Sequence, residues 1–171
     1  VLFRWYACAT EITVSDGENL QEIINNANGG DVIIINGGTY GPLNISNKRF
    51  SPQAPLIIKG GNEIPVIENP SISSGRGIQL NNVSYIVFDS LKIVGGMWGI
   101  QGFNADNIII KNCEITGQGQ EGIQIRNGSE YVDIINCHIH DIGLYNPQWG
   151  EGIYLGGDEG GNRHFWIEGC K

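Results

Sequence analysis

The chain is poor in positive charge: ten Lys and Arg stand against 18 Asp and Glu in 171 residues, a formal charge of −8, with no basic run anywhere. A nucleic-acid surface needs a clustered positive face, so that class of partner is excluded. Long apolar runs are also missing; no segment approaches the roughly 20 residues of a membrane-spanning helix. Only four cysteines occur, at positions 8, 113, 137 and 170. What the chain has instead is 26 glycines, enough for a turn about every seven residues, and a 40% apolar content that lets one elongated domain bury a continuous core.

The apolar residues repeat. Ile108–Ile115 (IIIKNCEI), Val132–Ile139 (VDIINCHI) and Phe165–Lys171 (FWIEGCK) carry cysteine in the same slot, and Ile86–Ile93 (IVFDSLKI) carries leucine there. Leu91, Cys113, Cys137 and Cys170 thus form a column with steps of 22, 24 and 33 residues. The flanking columns are apolar: Ile86/Ile108/Val132/Phe165, Phe88/Ile110/Ile134/Ile167 and Ile93/Ile115/Ile139. A second set, Gly77-Ile78-Gln79, Gly99-Ile100-Gln101, Gly122-Ile123-Gln124 and Gly152-Ile153-Tyr154, recurs at steps of 22, 23 and 30. Alternating apolar and polar residues predict strands. Ser90, Asn112, Asn136 and Gly169, with Asn81-Asn82, Asn104 and Asn127-Gly128, supply residues for the corners. Coils of this length hold three short strands and their turns, so the sequence predicts an all-β fold, a parallel β-helix solenoid.

Upstream, Ser15–Ala27 reads as a helix with Ser15 or Asp16 as N-cap and Leu20, Ile23, Ile24 and Ala27 on one face. It would block the open amino end of the solenoid. The stretch Gly30–Tyr40, with its apolar run Val32-Ile33-Ile34-Ile35, then reads as a strand followed by a tight turn. The domain is expected to span residues 13–171, after a segment 1–12 with two readings. Ala7-Cys8-Ala9 fits a signal-peptidase site, making Val1–Ala9 an export-signal remnant; the alternative is an extra strand over the first coil. A lipid-anchored Cys8 is disfavoured by Trp5.

The succession of capping helix, GDVIIINGGTY, PLIIKG and coils of the type NNVSYIVFDSLKI resembles the pectin-lyase-like right-handed parallel β-helix superfamily. That superfamily includes polysaccharide lyases, polygalacturonases, phage tailspikes and adhesins. The resemblance implies a secreted or cell-surface, carbohydrate-interacting protein, part of a polysaccharide lyase acting on an acidic polysaccharide with Ca²⁺. It also implies that catalytic groups lie in later coils. The columns ask for an apolar residue beyond Lys171, so the last coil reads as open: either the chain is truncated there, or that end docks on another copy. A non-catalytic carbohydrate-binding or self-associating structural module is the alternative to an enzyme.

Candidate site residues follow from the register. Gln101, Gln124 and Tyr154 should face outward on the Gly-Ile-Gln strands, with Arg126 beyond them. The loop between Ile139 and Gly152 is long and holds Tyr145 and Trp149, suited to pyranose faces. Glu121 and Glu151 precede the Gly-Ile pairs of adjacent coils and should stack at the same groove. Together with Asp158 and Glu159 they are the candidate calcium ligands. His138 and His140, the latter beside Asp141, are expected as general acid or base near this region. Cys113 and Cys137 are expected as buried free thiols, because one column of thiolates cannot form a tetrahedral metal site and in-line strands rarely reach disulfide geometry.

Overall fold

The computed structural model describes residues 9–156 and 163–171. Cys8, Asp158 and Glu159 lie outside the described residues, as does most of the segment read as an export-signal remnant. In chain order the elements are β1 (Glu11–Val14), α1 (Leu20–Asn26), β2 (Val32–Ile35), β3 (Thr39–Tyr40), β4 (Leu43–Ser46), β5 (Leu56–Gly60), β6 (Val66–Asn69) and β7 (Arg76–Asp89). They continue with β8 (Lys92–Gly95), β9 (Trp98–Lys111), β10 (Glu114–Thr116), β11 (Ile123–Arg126), β12 (Glu130–Ile135), β13 (His138–His140), β14 (Ile153–Leu155) and β15 (Arg163–Glu168).

The ladders between these strands are parallel, and each coil returns to the same faces. The first face consists of β4, the starts of β7 and β9, β11 and β14. The second consists of β1, β2, β5, the ends of β7 and β9, β12 and β15. The third runs β3, β6, β8, β10, β13. The register is the one the sequence columns predict: Ile86 faces Ile108, then Val132, then Phe165, and Gln79 faces Gln101, then Gln124, then Tyr154.

Inward residues alternate with outward ones, and in the inner coils the inward set is excluded from water: Ile78, Phe88, Leu91, Ile93, Ile100, Ile110, Ile115, Ile123 and Ile134 are all at 0% exposure, while Ile167 in the last coil is 47% exposed. Each such side chain contributes roughly 1.5–3 kcal/mol by burial. Cys113 and Cys137 are buried among them and Cys170 is half-buried; all three thiols are free. Cys113 Sγ lies 3.2 Å from the Lys111 carbonyl, a contact that suits a weak thiol donor.

The corners need left-handed backbone, and the residues placed there supply it. Ser90, Asn112 and Asn136 have φ of 56°, 53° and 52°, and Asn82, Asn104 and Asn127 have φ of 51°, 49° and 52°. Asn amides also bond along the stack: Asn104 Nδ2 donates to Asn82 Oδ1 at 3.0 Å, and Asn82 Nδ2 to Asn47 Oδ1 at 2.8 Å. A further left-handed column, Tyr85, Asn107, Tyr131 and His164 with φ of 57°, 54°, 57° and 59°, has no counterpart in the sequence reading. Tyrosine and histidine carry no turn signal.

The helix is shorter than expected. Gly17 takes φ of 87° and Glu18 N–H bonds the Ser15 carbonyl at 3.1 Å, so Ser15–Glu18 form a turn. Asn19, not Ser15 or Asp16, is the N-cap, its side chain accepting from Glu22 N–H at 3.1 Å. Leu20, Ile24 and Ala27 are buried against the first coil. Gln21 completes the cap: it accepts from Asn44 N–H at 2.7 Å and donates to the Asn44 carbonyl at 2.9 Å, satisfying the free edge of β4.

Candidate functional site

On the first face the outward glutamines do not project into solvent. Gln101 and Gln124 are 2% and 4% exposed, because they are joined into one hydrogen-bonded chain. Arg76 Nε donates to Gln101 Oε1 at 2.5 Å, Gln101 Nε2 donates to Gln124 Oε1, and Gln124 Nε2 donates to Glu121 Oε1 at 2.6 Å. The expectation that both amides stand out on the surface is corrected: Gln101 is bonded to Arg76 and Gln124 on the adjacent coils, and Gln124 also to Glu121 three residues before it. The Arg76 guanidinium also lies over the Trp98 ring, 4.6 Å from its centroid, and burial pulls its pKa down from the usual arginine value.

Above this chain is a cavity of about 330 Å³ lined by Trp98, Gln120, Glu121, Gln124, Arg126, Trp149 and Tyr154. Glu121 is only 3% exposed. One of its carboxylate oxygens takes the Gln124 bond; the other, Oε2, is buried with no hydrogen-bond partner among the described residues, as are Glu151 Oε2 and Trp98 Nε1. Glu121 and Glu151 occupy the same slot of adjacent coils, since Gly99 N–H bonds the Glu121 carbonyl at 3.2 Å and Gly122 N–H bonds the Glu151 carbonyl at 3.0 Å.

The long loop is pinned over the groove by the coil beneath it. Leu144 N–H bonds the Gln118 carbonyl at 3.1 Å, and Tyr145 and Asn146 N–H bond the Gly119 carbonyl at 3.0 and 2.9 Å. Only glycine fits at 119, where a Cβ would lie 1.7 Å from the Ile72 carbonyl oxygen. Asn146 caps a short 3₁₀ turn, Pro147–Trp149, which delivers Trp149 to the cavity wall at 52% exposure. Tyr145, 57% exposed, is outside the cavity lining, because its backbone is tied down at the Gly119 turn before the loop reaches the groove.

His138 and His140 are not in this groove. They project from β13 on the third face, in register with Glu114 and Thr116. Their rings lie 4.3 Å apart, and His140 bonds Asp141 Oδ2 at 2.8 Å and lies 3.4 Å from Glu114 Oε1. The Asp141 bond, aided by Glu114 and opposed by desolvation, holds the His140 pKa above the usual histidine value. Glu114 is in turn held below the usual carboxylate value by Lys92, 2.7 Å away.

Arg76 and Trp98 were missed in the sequence. They belong to the column that also holds Glu121 and Glu151, one residue before each Gly-Ile pair, and extending that column upstream would have found them. For calcium, Glu121 and Glu151 each offer one buried unpartnered carboxylate oxygen, and among the described residues no group of three or more His, Cys, Asp or Glu is placed to hold a metal. That donor set falls short of the 6–8 oxygens Ca²⁺ takes.

Parallel coils, a capped first coil and an aromatic-walled groove on one face define a β-helix protein with a cleft along one side of its solenoid. The chain belongs to the right-handed β-helix family, whose model, "Right handed beta helix region", matches residues 24–171. Among solved structures it is similar to an alginate lyase from Paenibacillus sp. str. FPU-7, with TM-score 0.86 and 25% identity over 94% of this chain and 57% of that one. It also superposes on the pectate lyase Pel9A, with TM-score 0.73 and 18% identity over 94% of this chain and 47% of that one. A 37-residue stretch is 49% identical to the pre-neck appendage protein of Bacillus phage phi29, covering 22% of this chain and 4% of that protein. The chain thus spans about half of those lyases and a small fraction of the phage protein.

Proposed function

We propose that this chain forms part of a secreted or cell-surface polysaccharide lyase that binds an acidic polysaccharide along the first face. The observation that carries the reading is the cleft lined jointly by Trp98, Trp149, Tyr154, Arg126 and the partly unsatisfied Glu121. Aromatic walls suit the apolar faces of sugar rings. A guanidinium suits a uronate carboxylate. β-Elimination on a uronate needs the carboxylate neutralised, a base for the α-proton and an acid at the leaving oxygen. Arg126 is assigned to the first task, and the free oxygen of Glu121 or Glu151 to the second. His138 and His140 face elsewhere and take no part. The likeness to alginate and pectate lyases supports the reaction class.

Calcium, if used, would be held jointly by Glu121, Glu151 and the substrate's own carboxylates, with Asp158 and Glu159 the remaining candidates. The test is ultraviolet absorbance of the unsaturated product on alginate, pectate and chondroitin, with calcium or a chelator. Absence of product from the whole protein on all three sinks the lyase.

The second reading is a non-catalytic binding module, favoured by one observation: Gln101, Gln124 and one Glu121 oxygen are already satisfied internally, leaving few groups free for acid–base work. Binding to alginate in affinity electrophoresis that survives Glu121→Gln but is lost with Trp149→Ala would favour it. Self-association through the last coil is the third proposal, tested by sedimentation.

A further inference from the structure

The second face carries a separate groove, of about 370 Å³, lined by Tyr85, Val87, Asn107, Ile109, Tyr131 and Asp133 among others. It belongs to the left-handed column missed in the sequence, Tyr85, Asn107, Tyr131, His164. In that column Tyr131 and His164, on adjacent coils, are stacked with centroids 4.5 Å apart and planes 2° from parallel. This separation is close to the spacing of neighbouring strands, about 4.8 Å, so the rings stack along the solenoid axis. The other face of Tyr131 therefore looks back down the column.

What it meets there is a small side chain. Asn107 stands where the column would otherwise hold a third ring, and Tyr85 follows one coil further on. Two strand spacings separate Tyr85 from Tyr131, roughly 9.6 Å. A ring seated between them makes two van der Waals contacts of about 4 Å each and has about 1.5 Å to spare. That is a loose fit for a flat ring and the right thickness for a puckered chair.

The floor and wall match such an occupant. Val87 and Ile109 project outward in register and supply an apolar floor. Asp133 continues that row one coil on. Among the described residues, neither the Asn107 amide nor the Asp133 carboxylate has a side-chain hydrogen bond within the protein. An amide and a carboxylate beside aromatic faces are the donors and acceptors that ring hydroxyls use. The Asp133 charge in the lining of this groove selects against anionic rings.

We propose that the slot between Tyr85 and Tyr131 binds one neutral pyranose ring, with Asn107 and Asp133 hydrogen-bonding its hydroxyls. The site is independent of the first-face groove and differs from it in charge preference.

The experiment is saturation-transfer NMR on the full chain, with neutral tetrasaccharides of β-1,4-linked glucose, galactose and mannose as probes and an oligogalacturonate as the acidic control. At least one neutral probe should bind. Asn107→Tyr fills the slot with the residue type that its column neighbours already carry at the same backbone angle, so it should fold normally and abolish binding. Tyr131→Ala and Asp133→Asn should each weaken binding roughly tenfold, while Glu121→Gln and Trp149→Ala should leave it unchanged. Failure of all three neutral probes, binding that survives Asn107→Tyr, or equal binding of the oligogalacturonate overturns the proposal. So does a dimer in sedimentation that Asn107→Tyr or Tyr131→Ala dissolves, because a second copy would then be the occupant.

Discussion

Replacing Gln124 with methionine tests the buried amide chain. The side chains are close in volume, and position 124 is 4% exposed, so packing changes little while two hydrogen bonds vanish. One is the bond to the Glu121 carboxylate at 2.6 Å. Hydrogen bonds to charged groups contribute about 1.5–3 kcal/mol. The other leaves Gln101 Nε2 buried without an acceptor, which costs about 1–3 kcal/mol more. Extra apolar burial returns roughly 1 kcal/mol. The net is a loss of about 3 kcal/mol, which for a chain of this size lowers Tm by roughly 6–12 °C.

Thermal and urea unfolding followed by circular dichroism would read it. Gln101→Met with Gln124→Met should cost less than the two single changes summed, by about 1 kcal/mol, since the bond they share is lost only once. A single-mutant loss under about 1 kcal/mol, or strict additivity, would show that the amides do not act as a chain.

Other outcomes are open to direct measurement. Asn112, at φ of 53° and donating to Asp89 Oδ1 at 2.8 Å, should cost about 2 kcal/mol as Asn112→Ala but only about 1 as Asn112→Gly, in urea unfolding; equal costs would remove the backbone argument. The Asp141 bond favours charged His140, so its stabilising contribution is present below about pH 6.5 and is lost as pH rises through the higher folded pKa. Proton NMR should place the His140 midpoint above that of a free histidine, and Asp141→Asn should bring it down; an unmoved midpoint would reject the cause. In a Cys8→Ser background, a thiol reagent should label half-buried Cys170 first and leave Cys113 and Cys137 unmodified until unfolding, and simultaneous labelling would contradict the buried column. Gly119→Ala should displace the long loop, because a Cβ meets the Ile72 carbonyl at 1.7 Å. Ligand affinity at the Trp149 groove should then fall as far as it does in Trp149→Ala, and an unchanged affinity would show that the loop is not held from below.

The register was legible in sequence because the inward positions are excluded from water coil after coil, which leaves an apolar period that turn residues punctuate. Ile86, Ile108, Val132 and Phe165 could be aligned by eye, and they pair as aligned. Burial on the outer surface was not legible. Gln101 and Gln124 look like any exposed amides until their partners on neighbouring coils are known, and Arg76 lies 25 residues from the amide it bonds. The left-handed Tyr85 and Tyr131 escaped for the opposite reason: their conformation is imposed by the stack and carries no local signal. The histidines, expected near the groove, lie on the third face because sequence proximity to the long loop is not proximity in a solenoid, where one strand lies between corners that point in different directions.

The chain of bonds from Arg76 through both amides to Glu121 gives the first face a sense of direction. Each amide dipole is fixed by its neighbour, so neither can turn over without breaking bonds on both sides. The bonded chain thus runs from a cation to an anion along the solenoid axis, like a track with marked ends. Exchanging the charges at positions 76 and 121 would reverse the direction of that chain of dipoles.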